Sequence, residues 1–313
     1  MKIALRYPDH LGADGTEFAN PATVTEITRA AEHAGFDAVF VTDHPIPSPD
    51  FERIGGHHSF DPFVTLGFVA GVTTTLRLLT FLVVLPYRNP FLTAKAAATL
   101  DVMSGGRLVL GVGAGYMRDE FEALGVDQSE RNALVDEAID VMKLAWSGEP
   151  VHMDGRHFVA RGNVALPIPV QTPHPPIWCG GNSPLAIRRA VERGDGWLPF
   201  PSSPERAEIV RTRPMANHDD LARGLDLARS HAAAIGRTEP LEVAFMPLGR
   251  STYDGAADPG ALVDDAGHLA ELGVTYLTTQ FPVATPTELL AAIERFGDAA
   301  MADIAALEPS NVI

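Results

Sequence analysis

Three short stretches carry groups that could do chemistry: Asp43-His44, the run Gly111-x-Gly113-x-Gly115 with Tyr116 behind it, and Gly180-Gly181-Asn182-Ser183. A histidine near neutral pH can donate to or protonate a reacting ring, and an adjacent carboxylate can fix its tautomer. The plainer alternative for His44 is a ring bonded to a loop carbonyl. Gly111-x-Gly113-x-Gly115 is not the dinucleotide fingerprint, because its third glycine falls one residue early. It is either a tight strand-to-helix turn or backbone brought close to a flat or phosphorylated ligand. Gly180 to Ser183 leads from a strand end into a helix whose first N–H groups lack partners. Ser183 as a cap explains helix initiation, and the two glycines ahead of it favour a phosphate cradle.

Other reactive types are poorly placed. His57-His58 are adjacent on a loop and diverge, and the first strand lacks the His-x-His of a metal-dependent barrel hydrolase. The only lysines are Lys2, Lys95 and Lys143, the latter two within helices, which disfavours Schiff-base chemistry. Cys179, the single cysteine, excludes an internal disulfide and reads as a small buried residue at a strand end.

The elements that must position these groups alternate regularly. Lys2 to Tyr7 is a strand; Asn20 caps a helix opened by Pro21 and ended by Gly35, with Val24, Ile27 and Ala31 on its inner stripe. Asp37 to Val41 is the second strand, ending in Asp43-His44, and Pro47 to His58 is a polar loop. Asp61 and Pro62 start a helix to Val72. The run Leu78 to Leu85 is a strand buried on both faces. Pro90 opens a helix that packs at short range through Ala94, Ala97, Ala98, Leu100 and Met103, and Gly105-Gly106 stops it. Leu108 to Val112 is the next strand. Two buried strands joined by a helix are parallel neighbours with a right-handed crossover.

After Gly115 the rhythm breaks. Arg118 to Leu124 is helical, and Glu130 to Trp146 is a longer helix with Leu134, Ala138, Val141 and Ala145 on one face. Asp154-Gly155 between alternating residues marks a hairpin. Val151 to Pro175 is read as an insertion, within an addition to the barrel spanning about 116–175. Strands resume at Ile177 to Cys179, Gly196 to Phe200, Leu241 to Leu248 and Val274 to Gln280. Helices run from Pro184 to Arg193, within Pro204 to Gly236 (broken near Pro214), from Pro259 to Leu272 and from Pro286 to Phe296. Eight strand–helix units in 313 residues predict an α/β protein, a (β/α)8 TIM barrel whose ligands bind beyond the carboxyl ends of the strands.

A net charge of −16 argues against nucleic acid. With 46% hydrophobic residues, no run long enough to span a membrane and no signal peptide, a cytoplasmic protein is expected.

The stretches AEHAGFDAVFVTDH, LPYRNPFLTAKAAATLDVMSGGRLVLGVGAGYMRDEFEALG and PPIWCGGNSPLAIRRAVERGDGWLP resemble the luciferase-like monooxygenase superfamily, especially its coenzyme F420-dependent oxidoreductases. They cover roughly the first two-thirds of the chain; beyond Ser202 only the strand–helix rhythm matches. The resemblance implies one barrel domain over residues 1–313, with a deazaflavin or isoalloxazine ring across its mouth. Asp43 and His44 would lie at the ring, His44 as its proton donor or hydrogen-bonding partner. A bulge in the third strand with a non-proline cis peptide, at Phe81-Leu82, would back the ring. Gly113, Gly115 and Tyr116, then Gly180, Gly181, Asn182 and Ser183, would hold the phosphate-bearing tail. The loop from Pro47 to His58 and the last third would shape the substrate pocket.

Sugar-phosphate dehydrogenases of this branch carry an acid after the glycine turn. Tyr116 stands there, which argues against that substrate. The expected activity is hydride transfer between F420 and a small organic substrate, by a homodimer. FMN with oxygen, giving a monooxygenase, is the alternative cofactor reading, and nothing in residue physics separates the two. A cofactor-binding partner subunit without turnover and a metal-dependent hydrolase are the remaining readings.

Overall fold

The computed structural model describes residues 1–8, 17–53, 56–248 and 259–313; part of the expected loop from Pro47 to His58 falls outside these ranges. Nine parallel strands form one closed sheet: β1 (Lys2–Arg6), β2 (Ala38–Val41), β3 (Arg77–Thr80), β4 (Val83–Val84), β5 (Leu108–Gly113), β8 (Ile177–Gly180), β9 (Gly196–Leu198), β10 (Glu242–Phe245) and β11 (Tyr276–Thr279). β1 pairs with both β2 and β11, closing the ring. β3 and β4 both pair with β5 and share one barrel position, so the ring has the eight positions of a (β/α)8 barrel.

The predicted continuous strand Leu78 to Leu85 is therefore two strands. Leu79 pairs with Val109 and Val83 with Val112, so four steps on one side face three on the other. The extra residue is a bulge, and the peptide bond between Phe81 and Leu82 within it is cis.

Alternation along the strands divides the core. Ala4, Ala38, Phe40, Leu79, Val109, Trp178, Leu198, Ala244 and Tyr276 fill the lumen, with Phe81 packed on them. Their neighbours Ile3, Leu5, Val39, Val41, Leu78, Leu108 and Leu110 belong to the cluster under the helices. Both faces are buried, which is why the strands read as unbroken apolar runs.

The outer ring comprises α1 (Pro21–His33), α3 (Pro62–Val72), α4 (Pro90–Ser104), α6 (Arg131–Trp146), α7 (Pro184–Arg193), α9 (His218–Ile235), α10 (Pro259–Leu272) and α11 (Pro286–Phe296). Starts are set locally: Asn20 Oδ1 accepts the Thr23 N–H and Asp61 Oδ1 those of Phe63 and Val64, each ahead of a proline. Gly105 ends α4 at φ 69°, a left-handed cap. Two facial assignments change. Met103 is 75% exposed, on the solvent side of α4, and Leu134 is only half-buried because Val135, Ile139 and Met142 carry the inner stripe of α6.

Between β5 and β8 stand a short helix, α5 (Arg118–Ala123), then α6 and a hairpin of β6 (Val151–Asp154) and β7 (Val159–Asn163). α6 packs between α4 and α7 as a member of the ring, so of the segment expected as an addition it belongs to the barrel. Two further short helices, α2 (Pro49–Arg53) and α8 (Pro204–Ile209), lie beyond strand ends, and α2 falls where only loop was expected. Pro214 separates α8 from α9, as the sequence indicates. A π turn at Gly297–Met301 leads into α12 (Ala302–Ala305), beyond the last helix expected from the sequence. No helix among the described residues is long and apolar enough to cross a membrane.

Candidate active site

Asp43 and His44 follow β2 at the carboxyl end of the barrel, where residues from several strands converge. Successive residues of an extended chain point to opposite sides, and the two side chains part accordingly. Asp43, 4% exposed, accepts the Val84 N–H (3.1 Å) on Oδ2 and Arg88 Nη2 (3.0 Å) on Oδ1. Burial pushes its carboxyl pKa up against the opposing pull of Arg88. Arg88 reaches on to Asp61 Oδ2 at 3.0 Å, so the cap of α3 and the end of β2 share one guanidinium.

The expected role of Asp43 in fixing the His44 tautomer gives way here, because its oxygens are turned to Val84 and Arg88. The carboxylate that faces His44 is Glu120, on α5, with Oε2 3.8 Å from His44 Nδ1. Glu120 is 1% exposed and accepts the Tyr87 hydroxyl (3.0 Å) and the Ile46 N–H (3.3 Å). The His44 N–H donates to Ser59 Oγ at 2.7 Å. Around the imidazole stand Phe51, His57 and Tyr116, at ring-centroid distances of 4.9, 5.1 and 6.3 Å. Tyr116 is a neutral phenol: burial first, then Glu120, push its pKa up to about 12, against Arg206. His57 Nε2 takes a donor from Arg6 at 2.9 Å, and Thr42 Oγ1 lies 3.0 Å from the same atom. That nitrogen faces a cation.

The glycines answer to Leu82. A Cβ on Gly180 would lie 2.1 Å from Leu82 Cδ2, and one on Gly113 2.6 Å from Leu82 Cδ1. Leu82 thus lies across the ends of β5 and β8, half-buried, while Phe81 turns into the lumen against Phe40 at 4.9 Å. Gly115, at φ 72°, makes room for Val84 and Phe121. Leu82 over Gly113 and Gly180 is thus an apolar surface at the end of the barrel where His44 and Tyr116 also stand, with Val84 and Phe121 packed beneath.

At the second glycine stretch much of the hydrogen-bonding capacity is already spent. The Gly181 N–H bonds Leu198 O (3.2 Å) and that of Asn182 bonds Thr212 Oγ1 (3.2 Å). The Asn182 amide is buried, donating to Phe200 O and Arg213 O and accepting the Phe200 N–H. Ser183 Oγ accepts the Ala186 N–H at 3.2 Å as the cap of α7. An anion here would meet the first turn of α7 rather than Asn182, but Pro184 has no N–H and those of Ala186 and Ile187 bond Ser183, so the Leu185 N–H is the donor that turn has left. Gly181 sits at φ 117°, so any side chain there strains the backbone before it meets a ligand. The segment after α8 closes this side, Ser202 bridging to Met215, and Arg211 Nη1 donates to Gln128 Oε1 (3.1 Å).

A cavity of about 350 Å³ lies between Phe51 and Gly56 on one side and Ser203, Arg206, Ile209 and Val210 of the α8 region on the other. Phe51 borders both it and His44. Cys179 is fully buried and its thiol pKa is pushed up to about 12 by burial, consistent with a packing role.

Sequence reasoning brought together Asp43, His44, Leu82, Gly113, Gly115, Tyr116 and Gly180. It missed Glu120, Tyr87, Arg88, Ser59 and Phe51. Glu120 had one signal, a carboxylate beside an apolar residue just past a glycine turn; Tyr87 and Arg88 lie in the stretch Val83 to Asn89 that the sequence puts on the functional rim, Phe51 lies in the loop from Pro47 to His58 expected to shape the pocket, and Ser59 had none.

A family model described as luciferase-like monooxygenase matches residues 1–239. The chain is similar to an uncharacterized protein of Mycobacterium tuberculosis, 30% identical over 241 residues, covering 73% of this chain and 78% of that one. It is also similar to an F420-dependent glucose-6-phosphate dehydrogenase of Beutenbergia cavernae, 29% identical over 329 residues, covering 91% of this chain and 94% of that one. Among solved structures, it shares its fold with the FMN-bound oxygenating constituent of 3,6-diketocamphane monooxygenase from Pseudomonas putida, a type II Baeyer-Villiger monooxygenase. The TM-score is 0.76 at 17% identity, over 99% of this chain and 100% of that one.

Proposed function

The chain belongs to the luciferase-like monooxygenase family, and from that premise we propose an oxidoreductase that moves hydride between coenzyme F420 and a small organic substrate. The observation that carries the reading is Leu82 lying over Gly113 and Gly180 at the carboxyl ends of β5 and β8, the same end of the barrel at which His44 follows β2. A flat tricyclic ring needs an apolar platform and one protic group at its edge, and these residues fit it. F420 is favoured by the Beutenbergia relative, whose match spans 91% of this chain. The FMN-bound fold neighbour supports the alternative, a monooxygenase.

When bound, the deazaflavin supplies a hydride acceptor or donor. The chain's own residues do the rest. His44 holds or takes the substrate's proton on its ring, which is 14% exposed at the mouth. Asp43, strapped by Arg88, anchors the strand end that carries it. Phe51 excludes water from one side, and the neutral Tyr116 offers a hydroxyl. The N-terminus of α7, beside the segment 211–213 that holds Asn182 through Thr212 Oγ1 and Arg213 O, would face the anionic tail. Tyr116, in place of an acid, favours a substrate other than a sugar phosphate.

The test is a pair of fluorescence titrations of the purified protein. F420 is expected to bind at micromolar concentration or tighter, about −8 kcal/mol. Tight FMN binding without an F420 response would select the monooxygenase reading.

A further inference from the structure

We propose that Glu120, braced by Tyr87, is a positioning residue that holds His44 in its Nδ1–H tautomer and leaves Nε2 unprotonated on the opposite edge of the ring. The inference rests on the reading of His44 as the proton-handling group and says what prepares it. His44 Nδ1 is buried and has no hydrogen-bond partner among the described residues. Its facing carboxylate oxygen is Glu120 Oε2, at 3.8 Å. That is longer than a hydrogen bond, and such contacts in unliganded sites commonly tighten when substrate arrives.

The other candidates for Nδ1 are occupied elsewhere. Asp43 accepts from Val84 and Arg88, and His57 Nε2 is engaged by Arg6 and Thr42. Glu120 itself has capacity left. A carboxylate accepts about four hydrogen bonds, and at 1% exposure water supplies few of them, while the protein supplies the Tyr87 hydroxyl and the Ile46 N–H. An Nδ1–H on His44 is the donor it lacks. Burial and the neighbouring Glu120 drive the Tyr87 pKa upward, so its hydroxyl stays protonated and donates. Ser59 holds the His44 backbone, and Glu120 holds that of Ile46, so the ring's attachment is fixed from both sides.

The stretch Leu85-Pro86-Tyr87-Arg88 thereby supports both residues at the end of β2. Tyr87 braces the carboxylate behind His44, and Arg88 braces Asp43. A histidine in the wrong tautomer cannot accept a proton at the edge that faces substrate; in hydrolase triads the loss of the orienting carboxylate costs up to about ten-thousandfold.

The experiment reads the tautomer directly, on cofactor-free protein labelled with ring 15N histidine, at a pH alkaline enough to keep imidazole neutral. The His44 signals are assigned by their loss in His44→Asn. Wild type is expected to show a protonated Nδ1 and a bare Nε2. Glu120→Gln offers both donor and acceptor, so a mixture with the Nε2–H form is expected. Tyr87→Phe removes one hydroxyl, keeps the carboxylate and is expected to shift the tautomer partway; it carries the test should Glu120→Gln fail to fold. With cofactor and substrate, kcat should fall roughly tenfold or more in Glu120→Gln while cofactor Kd stays within about threefold. An Nε2–H tautomer in wild type, or the same tautomer in both folded variants, overturns the proposal. An Nδ1–H wild type, shifted in the variants, that binds neither F420 nor FMN upholds Glu120 and overturns the function instead.

Discussion

His44 is the residue on which the proposed chemistry turns, and its surroundings explain why one histidine suffices. Phe51 and Tyr116 pack around it, Ser59 pins its backbone, and Glu120 waits behind Nδ1. A group that handles a proton in the transition state, without holding the ring, contributes to kcat and little to cofactor binding. His44→Ala is therefore expected to slow single-turnover hydride transfer roughly a hundredfold or more, with cofactor affinity changed at most a few fold. Unchanged stopped-flow rates would leave it an ordinary residue of the rim. Adjacent Asp43 acts differently. Buried and paired with Arg88, it ties β2 to the turn after β4 and to the cap of α3.

Among elements, the two glycine-bearing strand ends differ in what they tolerate. A Cβ on Gly111 would stand 1.9 Å from Thr80 O, which is backbone and cannot yield, and the Thr80 hydroxyl already donates to Gly111 O at 2.8 Å. Gly111→Ala is expected to destabilise by about 3 kcal/mol or more in urea titrations. At Gly180 the obstacle is the tip of Leu82, a flexible side chain. Gly180→Ala should cost less than about 1 kcal/mol yet tilt that apolar surface and weaken cofactor binding. Equal stability losses in the two variants would refute the distinction.

The turn into β3 is held by another local device. Glu32 Oε1, near the end of α1, accepts the N–H groups of Thr74, Thr75 and Leu76 and both threonine hydroxyls. Burial alone would raise its pKa, but those donors win and hold it at about 2, below the usual 4.5. A depressed carboxylate contributes stability above its unfolded pKa and loses it as pH falls through its folded one. The Tm advantage of wild type over Glu32→Gln should thus be full at neutral pH and shrink from about pH 4.5 toward about 2. A gap constant across that window would show the charge to be irrelevant.

At the scale of the whole molecule, the outer face of α3 and α4 stands apart. Val64, Leu92 and Met103 are 74, 71 and 75% exposed, and α3 carries no charge at all. Fully burying such side chains is worth about 1.5–3 kcal/mol each, and apolar side chains exposed on two neighbouring helices suit a second copy of the chain. The protein is expected to be a homodimer at micromolar concentration by light scattering, and Leu92→Glu with Met103→Glu is expected to release monomer. A wild type that scatters as monomer would remove this interface.

What the amino-acid order determined by itself is whatever depends on near neighbours. Short apolar runs made strands of Lys2 to Tyr7 and Asp37 to Val41, Asn20, Asp61 and Ser183 capped the helices beside them, and the count of units implied the barrel. The position of Asp43-His44 at a strand end followed from the same rhythm. Only the closed barrel decided which distant groups meet. Glu120 reaches His44, Tyr87 reaches Glu120, Leu82 covers Gly113 and Gly180, and Thr212 takes the N–H of Asn182. Such pairings arise because ring closure brings the ends of sequentially remote strands within a few ångströms of one another, and no short-range period in the chain encodes that distance.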